Sequence, residues 1–208
     1  MEQATYVEAR AEPKEPLTFE AFLQQYDDTH AEWVNGEAIP KMPVSVTHQK
    51  LSRFVYTLLS VWVEYHQLGE VHHPPLLVKL PLPEGKEVAR EPDIVVILNT
   101  NPGRFAEQYF DGAPDLIVEI VSPASRQTDR HVKYAEYEAA GVSEYWVLDP
   151  DRGYAEFFQR DEGGLYRTVF SGSEGVYRSR VLEGFWLEVG WLWQRPPLRE
   201  VLQQIGLA

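Results

Sequence analysis

The sequence contains no cysteine and only two methionines. The first absence removes disulfides, zinc–thiolate and iron–sulfur sites and any thiol nucleophile. The second leaves too little methionine for an adaptable, sulfur-lined binding groove. No apolar run approaches the roughly 18 to 20 residues that cross a bilayer, and the opening MEQATYVEAR lacks the basic start and apolar stretch of a secretory signal. A cytoplasmic protein with no membrane partner is expected. Positive charge is scarce too: 19 Lys and Arg face 32 Asp and Glu, a net charge of -13. That balance excludes indiscriminate nucleic-acid binding through a general positive field. The shortage is uneven, because residues 1–37 hold nine acidic and two basic groups, a balance of -7, and leave -6 for the other 171.

What is present is ordinary for a folded protein: 208 residues, 44% hydrophobic and 25% charged, enough for one domain with a real core. Residues 1–16, polar and holding Pro13 and Pro16, read as an N-terminal arm. Thr18 before FEAFLQQY suggests a capped helix, and EWVNGEAIP reads as a hairpin about Asn35-Gly36. Leu51, Val55, Leu58, Leu59, Trp62 and Tyr65 recur at helical spacing between Ser45 and His66. Strands are expected at about 71–80 and 92–98, joined by the turn LPEGKE, and again at 115–121 after a loop over 99–114. A helix over 125–140 stops at Gly141 and leads into the strand EYWVLDP, which makes a parallel crossover unit with the strand before it. Residues 17–151 thus form an α/β core. Residues 152–208 read as a β-rich extension of the same domain, closing with a helix after Pro196-Pro197.

Two acids stand out. EPDIVVI places Asp93, and DLIVEIVS places Glu119, inside apolar strands, where an isolated charge costs several kcal/mol unless paired or bound to a cation. Each is therefore a structural pair or part of a site. Asp115 and Glu119 lie four residues apart on one strand, about 13 Å, while oxygens on one Mg²⁺ lie within about 4 Å of each other. They cannot share an ion. Asp93, from a neighbouring strand about 4.8 Å away, can. Position 121, on the same face as 119, is Val, so no lysine follows Glu119 at that spacing. Arg126, Arg130, Lys133 and Tyr137, spaced by four, three and four, form a helical stripe in a segment (126–134) of net charge +2. It reads either as an anion-binding patch or as a solvated helix face.

The stretch EPDIVVI, a loop, and then GAPDLIVEIVSPASRQTDRHVKYAEYEAAGVSEYWVLDP resembles the Uma-type family of putative restriction endonucleases, within the PD-(D/E)XK nuclease superfamily. The likeness runs from about Leu17 to Asp151 and includes VNGEAIPKMP followed by His48. It implies a restriction-endonuclease-like fold, a mixed central sheet flanked by helices, with a metal site at the sheet's split. It implies Asp93 and Glu119 as ligands of Mg²⁺, with Mn²⁺ as a possible substitute, and the Ile120 carbonyl as a third ligand. Lys133 takes the role of the missing strand lysine, Glu37 that of an additional acid, and His48 faces the same region; the stripe of Arg126, Arg130 and Tyr137 supplies the expected substrate contacts by its spacing. The activity implied is hydrolysis of DNA, and cutting both strands of a duplex suits a two-fold homodimer for which the aromatic tail offers an interface.

Other readings of the same residues stand beside it. A non-catalytic interaction module could keep the fold and its buried acids. Paired carboxylates with six tryptophans also suit a glycosidase, although Trp62, Trp146, Trp186, Trp191 and Trp193 lie on core-like patterns. His72 and His73 are adjacent, so on a strand they point to opposite faces and make a poor metal pair.

Overall fold

A computed structural model describes residues 15–26 and 29–207. All but the last two residues of the expected N-terminal arm lie outside that range. Two six-stranded mixed sheets dominate. The first contains β1 (Ala31–Val34), β2 (Glu37–Pro40), β4 (Leu77–Pro81), β5 (Glu87–Arg90), β7 (Arg104–Phe105) and β8 (Tyr109–Asp111), in the order β2-β1-β5-β4-β8-β7. The second contains β3 (Gly69–His72), β6 (Ile94–Leu98), β9 (Leu116–Ile120), β10 (Glu144–Asp149), β11 (Tyr154–Arg160) and β12 (Tyr166–Gly172), in the order β12-β11-β10-β9-β6-β3. A short hairpin of β13 (Val176–Arg178) and β14 (Trp186–Glu188) stands apart. β9 and β10 run parallel, the crossover unit expected from the sequence, and β6 and β9 run antiparallel.

The strand expected over 71–80 is two strands in different sheets. Pro74 and Pro75 lie between them, and proline supplies no N–H to a ladder, so the chain leaves one sheet there and enters the other. The turn LPEGKE closes a hairpin of β4 with β5, in which Leu80 opposes Val88, and β5 has no counterpart among the expected strands.

Alternation sorts the side chains of the second sheet. Ile94, Val96, Leu116, Val118, Ile120, Trp146 and Leu148 face one core, shared with helix α2 (Val46–Tyr65) and the C-terminal elements. Val95, Ile97, Ile117, Val121, Tyr145 and Val147 face the other, against Val78, Leu80 and Val88 of the first sheet. Helix α1 (Phe19–Gln25), capped by Thr18, packs Phe19 and Phe22 near Ala31 and Ala89 of the first sheet. Helix α2 starts at its Ser45 cap and buries Leu51, Val55, Leu58, Leu59 and Trp62, whereas Tyr65, on its last turn, is exposed. The helix expected at 125–140 is a π-helical segment, Thr128–Lys133, running into α3 (Tyr134–Ala140), which ends at Gly141 with φ 98°. The C-terminal helices α4 (Gly190–Gln194) and α5 (Leu198–Gln204) add Trp191, Leu192 and Val201 to the first core.

Trp62 and Trp146 are buried in that core, and Trp186 and Trp193 pack against it. His72 Nε2 meets Glu70 and His73 Nδ1 meets the Pro74 carbonyl, so the two histidines have separate partners.

Candidate active site

The site begins where Glu91-Pro92-Asp93 carries the chain from β5 in the first sheet to β6 in the second. Ile94 opposes Val118 across β6 and β9, so Asp93, one residue earlier, comes beside Glu119. Both follow the alternation of Val95 and Val121 and point toward the first sheet. Both are buried on that face among apolar neighbours.

Each carboxylate is held through one oxygen. His48 Nε2 donates to Asp93 Oδ2 (3.2 Å), as does the Ile120 amide (2.7 Å). Lys133 Nζ (2.9 Å) and Tyr137 Oη (2.7 Å) donate to Glu119 Oε1. Among the described residues no hydrogen bond reaches Asp93 Oδ1 or Glu119 Oε2. A cavity of about 250 Å³ lies against both acids, with Glu32, His48, Ile120, Asp129 and Lys133 in its wall. A second, of about 610 Å³, continues past Asp93 and His48 toward Lys41 and His73. No tryptophan lines either.

Lys133 is also close to Glu32 Oε1 (3.2 Å) and Asp129 Oδ1 (3.4 Å). Glu32 takes Arg90 Nη1 on its other oxygen (2.8 Å), and Arg90 forms a two-pronged bridge to Glu136 at 2.7 Å per bond. With all ionised, the five carboxylates of Asp93, Glu119, Glu32, Asp129 and Glu136 face the two cations Lys133 and Arg90, a surplus of three negative charges.

The charges reshape one another. Burial opposes ionisation of Glu32, but Lys133 and Arg90 outweigh it and bring its carboxyl down to about 2. Burial also opposes Asp93, yet the His48 contact, Lys41 and the Ile120 amide hold it below the ordinary aspartate value. For Glu119, burial prevails: with Asp129 and Asp93 adding repulsion, its carboxyl rises to about 7 despite Lys133. Burial likewise lifts Asp129. Lys133 loses hydration, but Glu119, Glu32 and Asp129 more than compensate and keep it protonated well past its usual range.

The expected site residues do not all meet. Lys133 and Tyr137 converge on Glu119, but Tyr137 is fully buried beneath it and touches the acid rather than the cavity. Arg126 and Arg130 turn elsewhere: both bond Asp149, and Arg130 also bonds Glu156 at 2.7 Å. The single stripe is split because π-helical winding, with its i→i+5 bonds, widens the turn between Arg130 and Tyr137. Glu37 is exposed at the turn end of the β1–β2 hairpin, opposite Val34. The acid that reaches the site from this hairpin is Glu32, two residues further along the same face, opposite Ile39. Neither acid stands out in the sequence, where Asp129 lies among the polar and charged Gln127, Thr128, Arg130 and His131. Val121 is buried in the second core, which is why no lysine stands there.

The donor set fits a hard divalent cation. Mg²⁺ prefers one or two carboxylates and completes its octahedron with water, and two carboxylate oxygens lie unused beside a cavity of surplus negative charge. No group of three or more His, Cys, Asp or Glu side chains forms a ready-made metal centre among the described residues. That suits a water-rich ion better than a closed all-protein cage.

Two mixed sheets that part at a pair of buried acids define a restriction-endonuclease-like α/β fold. A solved structure described as a putative nuclease belonging to DUF820, from Anabaena variabilis ATCC 29413, shares it with a TM-score of 0.71 at 18% identity, over 86% of this chain and 98% of that one. The family model Uma2, described as "Putative restriction endonuclease", matches residues 19–190. The chain belongs to the Uma2 family. No curated protein matches it.

Proposed function

We propose that the protein is a Mg²⁺-dependent endonuclease that hydrolyses phosphodiester bonds of DNA. The observation that carries this reading is the pair Asp93 and Glu119, brought together from separate strands, each with one oxygen tied down and one unused. Asp93, Glu119 and the Ile120 carbonyl would hold the ion, and Mn²⁺ would replace it. When bound, the ion supplies Lewis acidity toward water and a phosphate oxygen.

The chain's own residues supply order and charge. His48 and the Ile120 amide fix Asp93, and Tyr137 fixes Glu119. Lys133, held protonated by its three acids, serves as a fixed positive charge that offsets phosphate negativity, and it is a poor general base. The two adjoining cavities give a path for the strand on either side of the acids. Cutting both strands of a duplex calls for two such sites, which a two-fold homodimer supplies. No helix among the described residues is long and apolar enough to cross a membrane.

The test is cleavage of supercoiled plasmid DNA in Mg²⁺. Asp93→Asn and Glu119→Gln should each slow cutting on the order of 100-fold or more, the scale of losing a preorganised charge-stabilising group, while the folded state survives in circular dichroism. Equal cleavage by wild type and the double variant would overturn the proposal.

A further inference from the structure

Two lysines line the cavities beside the acids, and the fold uses them differently. The Lys133 ammonium has three N–H donors, and Glu119, Glu32 and Asp129 take them up. Arg126 and Arg130 are likewise spent on Asp149 and Glu156, and Arg90 on Glu32 and Glu136. Lys41 stands apart. It follows β2 directly, and its amide donates to the His30 carbonyl at 2.9 Å, which fixes its backbone. Its ammonium donates to the Glu91 carbonyl at 2.5 Å and comes only to 3.6 Å from Glu91 Oε1, an oxygen that His30 Nδ1 already meets at 3.0 Å. The longer contact exceeds a hydrogen bond, so one donor of three is engaged among the described residues. The Lys41 side chain is 23% exposed, against 7% for Lys133, and its remaining donors can turn outward.

Its position gives those donors a use. The wall common to the two cavities is Lys41, Met42, Val44, His48 and Asp93, so the lysine sits where they adjoin. Burial and stronger partners act first on the carboxyls of Asp93, Glu119 and Glu32, but the Lys41 charge also favours their ionised forms, and its field therefore covers the site. A polyanion approaching this surplus of acid needs a cation that is not enclosed by acids of the protein. We infer that Lys41 binds a phosphate of the DNA strand next to the one that is cleaved. A lysine suits that task as a mobile point charge on a flexible stem, here anchored at its backbone. Lys41 then holds the strand along the larger cavity while Asp93 and Glu119 face the scissile phosphate. The inference rests on the endonuclease reading for the identity of the polyanion.

The test is the salt dependence of binding, read by fluorescence anisotropy with the full-length protein, Mg²⁺ and a labelled duplex whose phosphorothioate linkages resist cleavage. Each phosphate contact to duplex DNA adds about 0.9 to the slope of log affinity against log salt. Lys41→Gln should bind more weakly with a slope shallower by about that amount, and Lys41→Arg should keep the wild-type slope. Lys86→Gln is the control: this lysine is paired with Glu84 at the opposite end of β5 from the site, and its loss should leave the slope unchanged. A lysine that served only to brace Glu91 would lower stability without moving the slope. Plasmid cutting by wild type together with an unchanged slope in Lys41→Gln would overturn the inference and spare the endonuclease reading. Duplex binding without plasmid cutting, with the slope shift present, would reject cleavage and leave the phosphate contact standing; no binding by wild type would overturn both. Acetylation of the wild type with acetic anhydride, read by mass spectrometry, needs no variant. Bound duplex should protect Lys41 and leave Lys86 labelled as before, and equal labelling of Lys41 with and without DNA would overturn the inference.

Discussion

Arg90 and Lys133 are buried cations whose neighbours are almost all acids, and neither can be removed without leaving carboxylates stranded. Breaking a buried pair by deleting one partner typically costs about 3–5 kcal/mol, because the remaining charge has lost both water and counter-ion. Arg90→Met is therefore expected to lower the free energy of unfolding in urea by that amount, and Glu32→Gln in the same background should restore part of it. A loss under about 1 kcal/mol would mean that Glu32 and Glu136 find water instead. Tyr137→Phe is milder: it removes one bond to Glu119 that Lys133 still shares, a cost of about 1 kcal/mol. At this scale the sequence was informative where a charge interrupts an apolar strand, as at Asp93 and Glu119. Glu32 was hidden because its partner Arg90 lies 58 positions away, on a strand that the turn LPEGKE concealed.

The helical segment before β10 is fastened to the sheet by Arg126 and Arg130, which both reach Asp149. Asp149 is fully buried, and although burial opposes its charge, the Arg126 bond and charge hold its carboxyl below the ordinary value. Its folded pKa is thus lower than its unfolded one. The clamp stabilises the fold above pH about 4 and is lost as pH falls through the depressed value. Thermal melts from pH 7 down to pH 3 should show wild type losing more stability than Asp149→Asn; parallel curves would deny the clamp its role. The elements themselves were largely readable. The long helix, the crossover pair β9–β10 and the closing helix follow from periodicity and from turn residues. Periodicity does not register the ladder break that Pro74-Pro75 imposes, nor a π-helical turn, which packing sets.

The C-terminal elements pack into the core that α2 shares with the second sheet. Tyr177, Leu182, Phe185, Leu187, Trp191 and Ile205 share a cluster with α2 and β9, and Glu144 ties the segment down. That buried acid accepts from Trp146, Tyr177, Ser179 and the amides of Arg180 and Val181. Residues between 152 and 207 contribute to that core, and a chain ending at residue 151 should give no cooperative melt. A sharp transition in that fragment would contradict this. Part of the net charge of -13 lies at the site, where Glu32, Glu119 and Asp129 surround Lys133. The most direct measurement is Mn²⁺ binding followed by electron paramagnetic resonance, comparing wild type with Asp93→Asn and Glu119→Gln. The account predicts saturable binding in wild type, lost in either variant; binding that survives both substitutions, or none in wild type, would contradict it.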